Sequence, residues 1–177
     1  MRTKGKSSVE FNNVFLRSSA AISGPKEKKG PLGKFFDYSY DDPYCRTENW
    51  EQAEIKLQKD AMKLALKKIG LEFSDIRVVI GGDLNNQLAI TNYAMRDFDV
   101  PYLGVYSACS TCTQSIAIAS MLIDSGYGEN ILIITSSHNS TSERQFRYPT
   151  EYGGQKPTSM TSTATGAGAA VSYTHLR

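Results

Sequence analysis

The clearest hydrophobic pattern in the chain predicts a long amphipathic helix over Glu48–Ile69. Apolar side chains recur there at spacings of three and four residues, which places them on one face of a helix. Those apolar positions are Trp50, Ala53, Leu57, Ala61, Leu64 and Ala65. Thr47 is a suitable N-cap, and Gly70 a suitable stop signal, so both ends of the helix carry the expected residues.

Beyond this helix, short β-branched runs alternate with amphipathic segments. The predicted order is a strand at 76–80, a helix at about 86–96, a strand at 103–106, a tight turn at Cys109 followed by a helix that runs to Asp124, and a strand at 131–135. Asp83 or Asn85 is predicted to cap the 86–96 helix. Helices and strands that alternate in this way are typical of a mainly parallel sheet with helices on its faces. The predicted fold class is therefore α/β.

The flanking segments are less regular. Residues 9–17 have the composition of a first strand with broken alternation, and 23–34 that of an exposed loop rich in glycine, proline and charge. The aromatic segment 35–44 is predicted to pin itself to the core with its rings; the alternative is a lid or a subunit contact. Residues 136–163 show no periodicity, and a loop of this length is more often functional than filler.

The end of the chain predicts a truncated protein. Residues 166–171 form a small-residue strand, after which 172–177 do not continue the apolar pattern and are interpreted as a non-native tail. A strand with nothing after it to cover it is a poor domain boundary. We therefore expect residues 1–171 to be part of a larger fold.

Composition and charge exclude several functions. The net charge of +2 is too small to predict a nucleic-acid partner, and the lysine clusters fit a solvated face. No apolar run approaches the ~20 residues of a membrane span, and the N-terminus lacks the apolar core of a signal peptide. The three cysteines indicate a reducing compartment and no disulfide framework. A cytoplasmic protein, peripheral to any membrane it serves, is expected.

Cys109 is the candidate chemical centre. It lies between a predicted strand and a predicted helix, where the positive end of a helix dipole favours a reactive thiolate. An acyl-accepting nucleophile, a redox pair with Cys112 and a small buried side chain all fit this position. A zinc site is disfavoured because no second pair of ligands has suitable spacing, and no metal site is predicted.

His138 directly follows the 131–135 strand, at the sheet edge where open α/β proteins bind ligands. It can donate to an anionic ligand or bond within the loop, and the sequence leaves both open. Arg144, Arg147 and Lys156 follow it together with Tyr148 and Tyr152. Such a set suits a small aromatic carboxylate, although solvent exposure explains it equally well.

Several segments carry a resemblance to known proteins. SACST, followed by a small-residue helix and DSG, resembles the nucleophile segment of the thiolase-like superfamily, in particular β-ketoacyl-acyl carrier protein synthase III. More specific segments resemble the stage V sporulation protein AD family of Firmicutes. They are SGPKEKKGPLGKFFDYSYDDPYC, GGDLNNQ, GVYSACST, TSSHNSTSERQFRYPTEYGGQKP and TATGAGAA.

The resemblance implies a thiolase-like fold built from two similar α/β halves, of which this chain holds the first. It also implies a function: binding dipicolinic acid, or its calcium chelate, for uptake into the developing spore. The ligand-binding residues are then expected among Cys109, Ser110, Ser137 and His138. Calcium enters only through the ligand, and no other cofactor is implied.

The resemblance implies partners as well: other stage V sporulation A-type membrane proteins at the spore inner membrane, and a second copy in a homodimer. Two alternative functions stay open. One is an acyltransferase or condensing enzyme that uses Cys109 as its nucleophile; the other is a structural subunit of a spore membrane channel complex. Histidines that would complete an enzyme site are not identifiable in this sequence, so catalysis is not expected.

Overall fold

A computed structural model describes residues 2–146, 157 and 159–174. Two short strands, β1 (Arg2–Lys4) and β2 (Ser8–Glu10), form an antiparallel pair of their own. The main sheet has six strands: β3 (Phe15–Ser23), β4 (Tyr38–Ser39), β5 (Val78–Gly82), β6 (Tyr102–Gly104), β7 (Asn130–Ser137) and β8 (Gly166–Tyr173).

The described part of the chain also contains five α-helices: α1 (Pro25–Lys28), α2 (Trp50–Lys67), α3 (Ala89–Met95), α4 (Thr111–Asp124) and α5 (Asn139–Phe146). Short 3₁₀ turns precede α3 and α4, at Asn86–Leu88 and Ala108–Ser110. None of the described helices is both long and apolar enough to cross a bilayer.

The main sheet has the strand order β4-β3-β8-β7-β5-β6. Strand β8 is antiparallel to both of its neighbours, β3 and β7, whereas the other pairings are parallel. The sheet is therefore mixed but mainly parallel, with one reversed strand near its middle. This confirms the predicted α/β class.

The two faces of the sheet are covered by different helices. Val79, Leu132 and Ile134 join the apolar cluster that contains the buried side of α2. Their neighbours Ile80, Ile131 and Ile133 point to the other face and pack with α4. Because side chains alternate across a strand, the continuous apolar runs of β5 and β7 fill both clusters. The result is three layers, helix on sheet on helix.

Glycine allows the strands to approach closely at the end of β5. A Cβ on Gly81 would overlap the carbonyl oxygen of Ile134, and Gly81 has φ of 156°. A Cβ on Gly82 would overlap the carbonyl oxygen of Val105. The Gly-Gly pair is thus required by the two parallel neighbours of β5.

Several predicted boundaries are wrong. Residues 9–17 are not one strand, because β2 ends at Glu10 and β3 begins at Phe15. The long helix begins at Trp50 and its N-cap is Asn49, whose side chain accepts from the backbone N–H of Gln52 at 2.8 Å. Neither Asp83 nor Asn85 caps α3, since Leu88 precedes it without a side-chain cap.

The chain after β7 also differs from expectation at two places. Its first part is not a loop, because α5 follows β7 directly. Residues 147–156 lie outside the described residues. Strand β8 continues two residues past the predicted end at Val171, so that Tyr173 pairs with both Phe15 and Asn130. The non-native origin of residues 172–177 stays a prediction.

The aromatic segment is fixed to the core by part of its side chains. Tyr40 and Cys45 are buried, and Tyr40 packs edge to face on Tyr38 with ring centroids 5.0 Å apart. Phe35 is 69% exposed and Tyr44 is 42% exposed. The buried ring of Tyr40 therefore anchors the segment to the core, as predicted, whereas Phe35 and Tyr44 remain at the surface.

Candidate functional site

A cavity of about 330 Å³ lies where β5 and β7 end and α4 begins. Its lining consists of Gly82, Asp83, Leu84, Ala108, Cys109, Thr111, Cys112, Thr135, Ser136, Ser137, Gly166 and Gly168. A larger cavity of about 480 Å³ lies at the opposite sheet edge, where β5 and β7 begin, and contains none of the predicted site residues. The smaller cavity is the candidate site because α/β sheets bind ligands at the carboxyl ends of their parallel strands.

Cys109 lies in the 3₁₀ turn that leads into α4, as the sequence predicted. The preceding residue, Ala108, has φ of 45°, a left-handed conformation that costs a residue with a Cβ about 1–2 kcal/mol. Cys109 and Cys112 are both exposed and both line the cavity. The chain thus accepts backbone strain at the turn that presents the thiols, a feature that clusters at functional sites.

Hydroxyl groups hold this turn together. Ser110 Oγ donates to the carbonyl oxygen of Ser107 at 2.9 Å and lies 2.7 Å from Ser107 Oγ. Thr111 Oγ1 accepts from the backbone N–H of Ser107 at 3.2 Å. Ser110 is not part of the cavity lining. Its hydroxyl supports the turn, and its predicted role as a ligand contact stays a prediction.

Ser137 is brought to the cavity as predicted, at the last residue of β7. Its Oγ donates to the carbonyl oxygen of Ala164 at 2.7 Å. The hydroxyl proton is therefore already used within the protein, and the free lone pairs can accept from a ligand donor or water.

His138, like Ser110, lies outside the cavity lining, whereas the predicted residues Cys109 and Ser137 belong to it. It is 1% exposed, its Nε2 is 2.8 Å from the carbonyl oxygen of Pro43, and its Nδ1 accepts from the N–H of Ser140 at 3.2 Å. These partners fit the neutral ring with its proton on Nε2. Burial also lowers the pKa of His138. Of the two roles that the sequence left open, these contacts describe the hydrogen bond within the protein, and a role of His138 in ligand binding stays a prediction. The ring joins the start of α5 to the aromatic segment.

A buried polar cluster behind the cavity escaped the sequence analysis. Glu54 on α2 is fully buried, and its carboxylate accepts from Ser136 Oγ at 2.7 Å, Asn85 Nδ2 at 3.1 Å and Thr141 Oγ1 at 3.1 Å. Burial, with the charge of Asp83 as a smaller cause, raises the pKa of Glu54 to about 7 despite these donors.

A second carboxylate belongs to the same cluster. Asp83 accepts from the N–H groups of Asn85 and Thr91 at 2.9 and 2.8 Å, and from Thr91 Oγ1 at 2.6 Å. Gln58 connects the two acids, because its Nε2 donates to Thr91 Oγ1 at 2.8 Å and to Ser136 Oγ at 2.7 Å. Asp83 and Ser136 line the cavity, so the cluster fixes part of its wall.

One signal in the sequence could have revealed this cluster. Glu54 and Gln58 continue the 4-3-4 spacing of Ala61 and Ala65, and therefore share the apolar face of α2. Polar residues inside an apolar stripe are buried with partners, since burial without hydrogen bonds is costly.

The predicted cation set is described only in part. Arg144 lies on α5 and forms an ion pair with Glu51 rather than lining the cavity. Arg147, Tyr148, Tyr152 and Lys156 lie outside the described residues. In the part of the chain that the structure covers, no group of three or more histidine, cysteine or acidic side chains could hold a metal ion.

Sequence comparison identifies the relatives of this chain. The family model for stage V sporulation protein AD matches residues 5–175. Stage V sporulation protein AD of Bacillus subtilis (strain 168) is 48% identical over 172 residues, which covers 97% of this chain and 51% of that protein. The chain therefore spans about half the length of this curated relative.

Solved structures with a similar fold include 3-oxoacyl-[acyl-carrier-protein] synthase III and OleA proteins. The 3-oxoacyl-[acyl-carrier-protein] synthase III of Aquifex aeolicus VF5 has a TM-score of 0.63 at 17% identity, over 92% of this chain and 54% of that chain. A Xanthomonas campestris OleA variant with bound lauric acid and lauroyl-CoA has a TM-score of 0.63 at 14% identity, over 93% of this chain and 57% of that chain. These similarities confirm the thiolase-like fold, and the family match shows that the chain belongs to the stage V sporulation protein AD family.

Proposed function

We propose that this chain serves sporulation by binding dipicolinic acid, or its calcium chelate, in the cavity beside Cys109. The observation that carries the proposal is the cavity itself, together with membership of a sporulation family. At about 330 Å³ it is at the small end of the range for small-molecule sites. A single flat ring with two carboxylates is a ligand of suitable size.

The groups around the cavity favour a polar, flat ligand. Cys109, Thr111 and Cys112, at the start of α4, line one side, and the first turn of a helix is a favourable environment for a carboxylate. Three glycines, at 82, 166 and 168, leave backbone surface on which a planar ring can lie. Ser136 and Ser137 add hydroxyl oxygens at the end of β7.

Charge favours the calcium chelate over the free dianion. The described lining contains no lysine, arginine or histidine, whereas Asp83 contributes a carboxylate. A free dianion would meet this carboxylate without a cation to offset it, while a one-to-one calcium chelate is neutral. We therefore expect tighter binding when calcium is present.

The test is calorimetry with protein expressed from its complete gene, titrated with dipicolinate with and without calcium. Gly168→Ala adds a methyl group to the cavity wall where a Cβ meets nothing within 4 Å, so the fold should tolerate it. We expect an affinity loss of about tenfold for Gly168→Ala, because the added methyl group occupies cavity space, and a larger loss for Gly168→Val, because the valine side chain occupies more of it. Ala164→Val is the control, since Ala164 is exposed and outside the lining. Absence of binding at millimolar ligand, or equal affinities for all variants, would reject the proposal.

A second candidate is acyl transfer through Cys109. The strained turn at Ala108 and the exposed thiol in the cavity favour it. A nucleophilic thiol needs a nearby base, and both ring nitrogens of His138 already have partners within the protein. Incubation with an acyl thioester, followed by peptide mass spectrometry, tests it. An acyl group on Cys109 that is absent from Cys109→Ser supports the enzyme, and an unmodified Cys109 rejects it.

Partners form the last part of the proposal. We expect the protein to associate with stage V sporulation A-type membrane proteins at the spore inner membrane and to form a homodimer. A purely structural role in that assembly predicts that cavity variants such as Gly168→Val support normal sporulation. A dipicolinate-binding role predicts spores that lack dipicolinate in the same strain.

A further inference from the structure

Two of the three cysteines share one wall of the cavity. Cys109 and Cys112 are exposed and both belong to the lining. Cys45 differs in every respect: it is fully buried, and burial raises the pKa of its thiol to about 12. All three cysteines of the sequence fall within the described residues. Accessible thiol chemistry is therefore concentrated in the cavity.

The local backbone places the two cysteines on the same side of the chain. Cys109 is in the 3₁₀ turn Ala108–Ser110, and Cys112 is the second residue of α4. In 3₁₀ geometry side chains at positions i and i+3 eclipse each other, and in an α-helix they are neighbours. A Cys-x-x-Cys pair at a helix start is also the arrangement of thiol–disulfide enzymes. We propose that Cys109 and Cys112 form a redox-active dithiol that hydrogen peroxide converts into an intramolecular disulfide.

The chemistry takes two balanced steps. The sulfur of Cys109, as thiolate, attacks one oxygen of hydrogen peroxide, the O–O bond breaks and a sulfenic acid forms. The departing hydroxide takes up the proton that the Cys109 thiol released on ionisation, which gives water. The sulfur of Cys112 then attacks the sulfenic sulfur, an S–S bond forms, the S–O bond breaks, and a second water leaves. Overall two thiols lose two electrons and two protons, and peroxide is reduced to two molecules of water.

Cys109 is assigned the first step because it lies just before the N-terminus of α4, where the positive end of the helix dipole favours a negative charge. Cys112, in contrast, is inside the first turn of the helix. The disulfide would remove both thiols from the cavity wall. This chemistry is separate from ligand binding, because it needs neither dipicolinate nor an acyl donor. A thiol reductant reverses it.

Peptide mapping tests the proposal directly. No lysine or arginine occurs between Arg96 and Arg144, so one tryptic peptide, 97–144, contains both cysteines, while Cys45 is in peptide 35–46. Reduced protein from the complete gene is treated with hydrogen peroxide, denatured, and labelled with N-ethylmaleimide. We expect peptide 97–144 to lose the mass of two hydrogen atoms and both labels, and peptide 35–46 to keep its label. Dithiothreitol should restore both labels.

Single variants test the assigned order. Cys112→Ser should form no disulfide and should hold a sulfenic acid on Cys109 that dimedone traps. Cys109→Ser should trap much less at Cys112. Two labels on peptide 97–144 after excess peroxide, or added oxygen atoms without the loss of two hydrogens, would overturn the disulfide. Equal trapping in both variants would overturn the role of Cys109. None of these results depends on ligand binding.

Discussion

Replacing Glu54 with glutamine should make the stability of this protein less dependent on pH. Glu54 is fully buried, and its pKa is raised from the ordinary 4.5 to about 7, chiefly by burial. The difference of 2.5 pH units is worth about 3 kcal/mol at ~1.4 kcal/mol per unit. Full ionisation of Glu54 therefore lowers the free energy of unfolding by about 3 kcal/mol.

The sign follows from the proton count. Below pH 4.5 the acid is protonated in both states, and its burial carries no ionic cost. Between pH 4.5 and 7 the folded state keeps the proton that the unfolded state has lost, so the free energy of unfolding falls as pH rises. Above pH 7 both states are ionised, and the loss stays near its full value of about 3 kcal/mol.

Glutamine removes this titration at a modest cost. Its amide nitrogen must face a donor such as Ser136 Oγ or Asn85 Nδ2 in place of a carboxylate oxygen. One reoriented hydrogen bond costs about 1 kcal/mol. We therefore expect Glu54→Gln to be about as stable as the parent protein at pH 5, and more stable by about 2 kcal/mol at pH 8.

The assay is urea denaturation at pH 5, 6, 7 and 8, followed by far-ultraviolet circular dichroism, on protein expressed from its complete gene. Glu48→Gln is the matched control, because Glu48 is exposed and lies just before the same helix. Its difference from the parent protein should not change with pH by more than a few tenths of a kcal/mol. A Glu54→Gln difference that is equally flat would refute the argument.

Two further predictions concern the frame around the site. Gly81→Ala should lower the free energy of unfolding by more than about 2 kcal/mol, because its Cβ would overlap the Ile134 carbonyl oxygen. Gly126→Ala is the control: Gly126 has φ of 80° but open space around it, so this variant should lose only about 1 kcal/mol in the same urea assay. His138→Gln keeps a donor for Pro43 but does not titrate. Because burial lowers the pKa of His138, the parent protein should lose stability relative to this variant as pH falls from 7 to 5, and a constant difference would contradict the neutral ring.

Local sequence patterns were sufficient to predict the helices and strands whose apolar spacing is uninterrupted. The apolar spacing of α2 and the β-branched runs of β5 and β7 predicted their type correctly, although the boundaries moved by one to a few residues. The turn at Cys109 was predicted correctly too, because a strand that gives way to a small-residue helix leaves few alternatives between them.

Other features depend on contacts between distant residues. The three donors to Glu54 come from 31, 82 and 87 residues away in the sequence, so no local window contains the reason for its burial. His138 was expected at the cavity because it follows β7, but the chain turns at once into α5 and its ring meets Pro43, 95 residues away. A residue at the end of a strand can turn towards either side of the sheet edge, and only packing decides which.

The sequence by itself determined the α/β class, the position of Cys109 at a helix start, and the family resemblance, since all three reside in local spacing or in contiguous segments. The tertiary structure decided which of the candidates meet: it brings Cys109, Cys112 and Ser137 to one cavity, excludes Ser110 and His138, and adds Asp83 and Ser136. Strand β8 illustrates the cause. Its glycines reach the cavity only because it inserts antiparallel between β3 and β7, a pairing that spans most of the chain and has no local signature.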